Sequence, residues 1–259
     1  MLNKNKIKWI RSLEYKKFRK ETGCFLAEGN KLVSDMLPYF ECEFLLSESS
    51  WLATQGDIHV KEHVMAEEGD ISRASLLRTP QNVLAVFKQP VYELDSADLK
   101  TKLTLVLDGI QDPGNFGTII RMADWFGIEN VVCSPDTVDV YNPKTMQATM
   151  GALARVRTHY ANLTDFFNQF KNPDDLPFPI YGTFLEGENL YNKKLSSTGF
   201  IVMGNEGNGI GSETESFISQ KIHIPNFPRD RETSESLNVA VATAIVCAEF
   251  RRQQACLGM

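Results

Sequence analysis

The stretch from Leu103 to Val132, LTLVLDGIQDPGNFGTIIRMADWFGIENVV, leaves this chain few ways to fold. Leu103, Leu105, Val106 and Leu107 form a short apolar run with the length and composition of a buried strand. Asp108-Gly109 and then Asp112-Pro113-Gly114-Asn115 interrupt it with turn chemistry. From Thr118 the apolar side chains return at helical spacing, at Ile119, Met122, Ala123 and Phe126, and Gly127 stands where a helix stops. Val131-Val132 opens a second strand. Strand, polar loop, helix and strand in this order make a parallel α/β unit, and its polar loop lies where such sheets carry ligands.

The same alternation extends in both directions. Before it, a helix around Trp9, Ile10 and Leu13 runs to Thr22-Gly23, Cys24–Ala27 reads as a strand, and Leu32–Leu37 as a helix stopped by Pro38. Phe44–Leu46, Ile58–Val64 and Val83–Phe87 read as strands, with a helix at 67–77. These make a small α/β domain. The expected organisation is a basic arm at 1–20, a substrate-binding domain at 21–88, a linker at 89–101 containing Pro90 and several acids, and a larger domain at 102–259. In the larger domain, helices are expected at Met146–Ala154 and Leu163–Phe170. Strands are expected at Arg155–Tyr160, Ile180–Phe184 and Phe200–Met203, with a Pro/Asp loop at Asn172–Pro179. Leu237–Phe250 reads as a long helix so apolar that it must be buried on most sides, in the core or against a second subunit.

Charge is unevenly spread. The chain carries a formal charge of -6, yet residues 1–20 hold eight lysines and arginines against Glu14 alone. The arm is therefore +7 and the remainder -13. Such an arm is either a phosphate-contacting device or a solvated helix face with a frayed terminus. No apolar run approaches the roughly 20 residues of a membrane span, and the charged N-terminus lacks the apolar segment of a secretory signal. Cys24, Cys42, Cys133, Cys247 and Cys256 are scattered without CxxC spacing, as in reduced packing residues of a cytoplasmic protein.

Two further stretches stand out. Met203-Gly204-Asn205-Glu206-Gly207-Asn208-Gly209-Ile210-Gly211 follows an apolar strand with glycines that let backbone approach a ligand or simply turn tightly. No Gly-Lys-Ser/Thr follows, and the GxGxG spacing begins at Gly207 although the strand ends at Met203, so neither nucleotide-binding fingerprint is in register. The second stretch is Ile222-His223-Ile224-Pro225, a charged loop, and Ser236-Leu237-Asn238 heading the apolar helix. Ser236 is a candidate cap for that helix, whereas Asn238 reads as a buried amide in need of partners. His59 and His63 lack the glutamate position of a zinc protease and a third ligand, and no serine lies in GxSxG context. No metal is expected. Arg251-Arg252 is read as a helix C-terminus favoured by the macrodipole.

Taken together and in order, these stretches resemble the motifs of the SpoU (TrmH) family of RNA ribose methyltransferases in the SPOUT superfamily. The first motif is Asn115-Phe116-Gly117-Thr118-Ile119-Ile120-Arg121, continuing to Ala123, Phe126 and Gly127. The second is Val202–Gly207, and the third runs from Ile224-Pro225 to Ser236-Leu237-Asn238-Val239-Ala240-Val241-Ala242. Phe25–Gly29 and Thr79–Ala85 resemble the family's substrate-binding module. The resemblance implies an α/β fold whose C-terminal parallel-sheet SPOUT domain carries a deep trefoil knot, beside a small N-terminal α/β domain. It further implies S-adenosylmethionine as methyl donor and a homodimer in which the final helix belongs to the interface.

By the same resemblance Asn115, Arg121, Glu206, Ser236 and Asn238 line the catalytic site. Thr183, Met203, Gly204, Asn205, Gly207, Ile224 and Leu237 would hold the cofactor. Arg121 is often cast as the family's base, but an arginine rarely gives up its proton. Holding a phosphate and stabilising the developing alkoxide suits it better. The chain departs from the family pattern at Asn226, where methionine is common, and in the length and charge of the loop Asn226–Glu235. The expected activity is S-adenosylmethionine-dependent 2′-O-ribose methylation of a structured RNA, with ribosomal RNA favoured by the basic arm and N-terminal module. Transfer RNA is the alternative substrate. A non-catalytic RNA-binding assembly factor is disfavoured by the intact site residues, and a Rossmann oxidoreductase by the misplaced glycines.

Overall fold

The structure, a computed structural model, describes residues 2–170, 178–228 and 236–257. In chain order its first elements are α1 (Lys4–Ser12), α2 (Lys16–Thr22), β1 (Cys24–Glu28), α3 (Asn30–Met36), β2 (Cys42–Ser47), α4 (Ser49–Leu52), β3 (His63–Met65), α5 (Asp70–Ala74) and β4 (Val83–Lys88). Next come α6 (Ser96–Lys100), β5 (Leu103–Asp108), α7 (Pro113–Trp125), β6 (Asn130–Cys133), α8 (Pro143–Thr149), a 3-10 turn (Ala152–Ala154) and β7 (Arg157–Tyr160). The last are α9 (Leu163–Asn168), β8 (Ile180–Asn189), β9 (Gly199–Gly204), α10 (Ser212–Glu215), β10 (Gln220–His223) and α11 (Val239–Leu257). They group into two compact units, Met1–Val91 with Asp139–Ala154, and Tyr92–Val138 with Arg155–Met259.

The first unit is a four-stranded sheet in the order β1-β4-β2-β3, antiparallel except where β3 lies parallel to β2. Alternating apolar side chains of β1, β2 and β4 (Leu26, Phe44, Leu46, Leu84 and Val86) bury against Ile10 and Leu13 from the N-terminal arm. The arm is thus not frayed: it is two helices, and part of its charge is structural. Arg19 is 2% exposed. Its Nη2 lies 2.6 Å from Asp139 Oδ2, and its Nη1 donates to the carbonyls of Leu13 at 2.8 Å and Glu14 at 2.7 Å, closing the junction between α1 and α2. Lys6 pairs with Glu62 at 2.6 Å, and Arg11 donates to Ser75 O at 2.7 Å. The two stretches that resemble a substrate module are neighbours, since β1 pairs with β4 from Cys24↔Lys88 to Glu28↔Leu84. Gln81 Oε1, within the second stretch, accepts from Asn30 N, directly after the first, at 2.8 Å. Burial pushes the Glu28 carboxyl above its ordinary value, while the Ser75 hydroxyl and the Leu76 N–H donate to it.

Several expectations in this unit need correction. Of the expected strand Ile58–Val64 only an edge strand at His63–Met65 forms, because Asp57, His59 and Lys61 are exposed and β3 has one neighbour, β2. The expected helix at 67–77 shortens to Asp70–Ala74. The helix expected at Met146–Ala154 breaks at Met150, which takes a left-handed conformation (φ 51°) before Gly151. Residues 139–154, which motif order runs into the second domain, group with this first unit.

The second unit is a six-stranded sheet in the order β10-β8-β9-β5-β6-β7, with every pairing parallel. Val106, Val132 and Val202 at its centre pack against Phe166, Phe167, Phe170 and Phe200, as expected for strands covered on both faces. The proposed linker contains a helix, α6, capped by Asp95. The Pro/Asp loop lies largely outside the described residues, and β10 was not expected at all. α11 packs along α7 and continues to Leu257, past the expected end. Arg251 serves α7 rather than its own helix, donating to Phe126 O at 2.6 Å and Gly127 O at 2.9 Å. Cations at a helix C-terminus favourably meet its unpaired carbonyls. Cys24, Cys42, Cys133 and Cys247 are free and buried.

Arg19 gives the most direct test of this packing. Arg19→Met strips Asp139 of its guanidinium and two carbonyls of their donors, and should cost about 3 kcal/mol of stability, as for a broken buried pair. Urea unfolding measures it; a loss within about 0.5 kcal/mol, as at an ordinary surface position, would contradict the structural role.

Candidate active site

Strand order alone marks where a ligand belongs in the second unit. From β5 the chain moves outward through β6 to β7, then crosses to β8 and returns through β9, so β5 and β9 are neighbours whose connections run in opposite directions. At such a switch point the loops leaving the carboxyl ends of the two strands open a crevice. β5 and β9 pair in register from Leu103↔Gly199 to Asp108↔Gly204, which brings the loop after Asp108 beside the loop after Gly204.

Side chains tie the two loops together. Asp108 Oδ2 accepts from Gly211 N at 2.9 Å, and Asn205 Nδ2 donates to Gly109 O at 2.7 Å. Asn205 Oδ1 accepts from Gly207 N and Asn208 N at 2.9 and 3.0 Å, folding the glycine loop around its own amide. Within that loop Asn205 and Gly209 exchange backbone hydrogen bonds at 2.9 Å. A Cβ on Gly204 would stand 2.2 Å from Gly209 C, so this glycine is required by the loop's returning backbone.

The loop after β5 is shorter than its sequence suggests. Asp112-Pro113-Gly114-Asn115 is a helix start rather than a turn: Asp112 caps α7, its Oδ1 accepting from Asn115 N at 2.7 Å, and Pro113 occupies the first turn. Asn115 therefore stands in the first turn of α7. Its Nδ2 donates to Glu206 Oε1 at 3.1 Å, and its Oδ1 accepts from Asn238 Nδ2 at 2.9 Å. Asn238 Oδ1 in turn accepts from Ala240 N and Val241 N at 3.0 and 3.2 Å.

The orientation of both amides is determined from the ends. A carboxylate only accepts, so Glu206 takes the Asn115 NH₂, while the backbone N–H groups of α11 take the Asn238 oxygen. The relay Glu206–Asn115–Asn238 thus joins the β9 loop, the head of α7 and the head of α11. Asn238, rather than Ser236, caps α11, because its oxygen is the one that reaches the free N–H groups. Asn238 is also exposed, not buried as expected.

Of the expected catalytic residues, Asn115, Glu206 and Asn238 meet. Arg121 lies six residues further along α7, about 9 Å by helical rise, exposed and with no hydrogen bond or ion pair among the described residues. Ser236 is exposed just before Leu237. Among the expected cofactor residues, Thr183 Oγ1 donates to Val202 O at 3.3 Å beside the buried Met203. Gly204, Asn205 and Gly207 build the β9 loop, Ile224 is half-buried just after β10, and Leu237 is 48% exposed. Asp108, Asp112 and Ser134, whose Oγ accepts from Gly109 N at 2.8 Å at the turn, were not singled out as functional residues. Only Asp112-Pro113 carried a local signal, the cap followed by proline. Among the described residues no three His, Cys, Asp or Glu side chains are placed to hold a metal.

Residues 102–248 match the model of the SpoU rRNA Methylase family, and residues 4–85 match the MRM3-like substrate binding domain. The chain belongs to the SpoU rRNA methylase family. One curated relative is the 23S rRNA (guanosine(2553)-2'-O)-methyltransferase RlmP of Bacillus subtilis, 30% identical over 95% of this chain and 96% of its own. Among solved structures, a protein from Porphyromonas gingivalis described as an RNA methyltransferase of the TrmH family superposes with a TM-score of 0.88 at 42% identity, covering 98% of this chain and 99% of its own. The AdoMet-bound rRNA methyltransferase from Sinorhizobium meliloti gives 0.79 at 29% identity, covering 97% and 96%. This SpoU chain thus has full-length relatives with both of its units.

Two variants separate the two functions of Asn238. Asn238→Ala should cost about 1 kcal/mol of stability through the lost cap. Asn238→Asp keeps the acceptor for the helix and should melt near the wild-type temperature, while it cannot donate to Asn115. Equal destabilisation by both, measured by thermal unfolding, would contradict the capping role.

Proposed function

We propose that this chain is an S-adenosylmethionine-dependent RNA 2′-O-ribose methyltransferase acting on ribosomal RNA, with a guanosine ribose of 23S rRNA as the first position to examine. The observation that carries this reading is the Glu206–Asn115–Asn238 relay at the switch point of a SpoU-family sheet. The names of the B. subtilis and S. meliloti relatives support the RNA class and the donor.

Bound S-adenosylmethionine supplies a methyl group on a sulfonium, so the protein's task is to place the ribose hydroxyl and manage its proton. Ile224 and Leu237 offer apolar surface, with Met203 buried at the end of β9, and Thr183, Gly204, Asn205 and Gly207 give a polar strand end. This mixed set fits a ligand with an apolar chain and a polar nucleoside. The C-terminal loops crossing as a knot belong to the same proposal. In the relay Asn115 keeps one N–H and one oxygen lone pair unused by its neighbours, and Asn238 keeps one N–H; Asn115 uses its own to orient the 2′-hydroxyl. Arg121 keeps its proton, holds the adjoining phosphate and stabilises charge developing on the oxygen. Ser236 contacts the RNA backbone, and Glu206 holds Asn115 in its single productive orientation.

Two copies would pair through α7 and α11, where Trp125 is 83% and Val241 50% exposed, apolar surface of the kind that marks an interface. No described helix is long and apolar enough to cross a membrane. The proposed place of action is the cytoplasm, where ribosomal RNA is modified.

Tritium transfer from labelled S-adenosylmethionine to unmodified 23S rRNA tests the activity, and ribose-methylation mapping identifies the nucleotide. Asn115→Ala and Arg121→Ala should fold and bind the donor, yet transfer methyl at least about 100-fold more slowly, the scale for losing one oriented donor. Full activity in either would overturn its assignment. Methylation of transfer RNA in place of ribosomal RNA would overturn the substrate.

A further inference from the structure

Between β5 and α7 the chain has only Gly109–Gln111 to connect them, since Asp108 ends the strand and Asp112 caps the helix. Towards β9 this loop is held by residues of the site: Asn205 Nδ2 donates to Gly109 O, and Glu206 Oε2 accepts from Gln111 N at 3.5 Å. Its other side rests on the turn that leaves β6. Val138 N donates to Ile110 O at 2.8 Å, and Gln111 Nε2 donates to Asp136 O at 3.3 Å. Inside that turn stand two hydroxyls that take no part in the relay, Ser134 (5% exposed) and Thr137 (1% exposed).

Their hydrogen bonds run in one direction. Ser134 Oγ accepts from Gly109 N at 2.8 Å, the two hydroxyl oxygens lie 3.0 Å apart, and Thr137 Oγ1 reaches Leu107 O at 3.3 Å. A carbonyl only accepts, so the one hydroxyl hydrogen of Thr137 goes to Leu107, and Ser134 must give its own to Thr137. The order is Gly109 N–H to Ser134 to Thr137 to Leu107 O, a closed ring across the bend at Asp108-Gly109. Gly109 takes a positive φ of 71° in this bend. Backbone bonds already join the two loops at Ser134 N to Leu107 O and at Val138 N to Ile110 O. The hydroxyl pair adds the bond that fixes Gly109 itself, two residues before the N–H that meets Glu206.

We propose that Ser134 and Thr137 are positioning residues for the methyl transfer, holding Gly109–Gln111 so that the Gln111 N–H places Glu206 to orient Asn115. The proposal deepens the methyltransferase reading and rests on it for the reaction. Neither hydroxyl touches the donor or the ribose; both act through the loop. Glu206 is thereby held at both oxygens, by a side chain on one and by a supported backbone N–H on the other. A carboxylate fixed twice has less freedom to turn, and Asn115 inherits that restriction.

The test uses the full-length protein, labelled S-adenosylmethionine and unmodified 23S rRNA made by transcription. Thr137→Val keeps nearly the same shape but leaves the Ser134 hydrogen without its acceptor. Its kcat should fall about tenfold, the scale of a small misplacement at the reacting groups, with RNA KM and donor affinity unchanged. Thr137→Ser, which keeps the hydroxyl, should restore kcat. Thr137→Val/Glu206→Ala should be no slower than Glu206→Ala alone, because the hydroxyls act through that carboxylate. In protein carrying isotope-labelled asparagine, the Asn115 side-chain amide signal should shift in Thr137→Val. A folded Thr137→Val protein with wild-type kcat and an unmoved Asn115 signal overturns the positioning role and leaves the methyltransferase reading intact. Losses that multiply with that of Glu206→Ala show a merely structural pair and overturn it equally. A shifted Asn115 signal in Thr137→Val, with wild-type protein that never transfers methyl, supports the positioning and overturns the activity.

Discussion

Glu206 can only accept hydrogen bonds, and that one-sidedness organises the site. Its carboxylate draws the Asn115 amide nitrogen, turning the amide oxygen to Asn238, whose own oxygen is held by the first N–H groups of α11. Three segments that are distant in sequence acquire one relative geometry from three polar side chains. The arrangement needs the parallel pairing of β5 with β9 beneath it, because only that register brings the loop after Asp108 beside the loop after Gly204. Asp108 and Asn205 lock the same junction from inside, leaving the relay at its solvent side.

The two units rest on different balances of forces. The second buries a layer of phenylalanines against apolar strands and concentrates its polar chemistry at strand ends. The first spends a buried arginine to close the angle between α1 and α2 and to hold Asp139. A guanidinium suits this because its fork makes four hydrogen bonds, two to the carboxylate and one to each carbonyl, whereas a lysine has three donors. The arm is thereby built into the fold, and its remaining lysines are presented from α1 and α2.

What could be read in advance follows from how local each cause is. β5, β6 and β9 were legible because strands covered on both faces are continuous apolar runs, and the end of α7 because Gly127 takes a positive φ of 61°. β10 was not, since Gln220 and Lys221 are tolerated on an edge strand. The start of α7 was misread because Asp-Pro-Gly-Asn serves equally as a turn or as cap plus first turn, and only the following packing decides. Ser236 and Asn238 are both good caps, and the choice depends on which oxygen reaches the helix. Arg19 was indistinguishable from seven other bases, and the grouping of 139–154 with the first unit depends on contacts more than a hundred residues apart. Motif order pointed to the residues of the relay, whereas their hydrogen bonds to one another had no sequence signature.

The relay is most directly tested by a double-mutant cycle between its two ends, which do not bond to each other. Methyl transfer to 23S rRNA would be measured for Glu206→Gln, Asn238→Ala and the pair, with donor affinity and folding as controls. If Asn115 transmits the constraint, either single change already frees it, and the double variant will be little slower than the worse single one. Losses that simply multiply would show two independent contributions and contradict the relay.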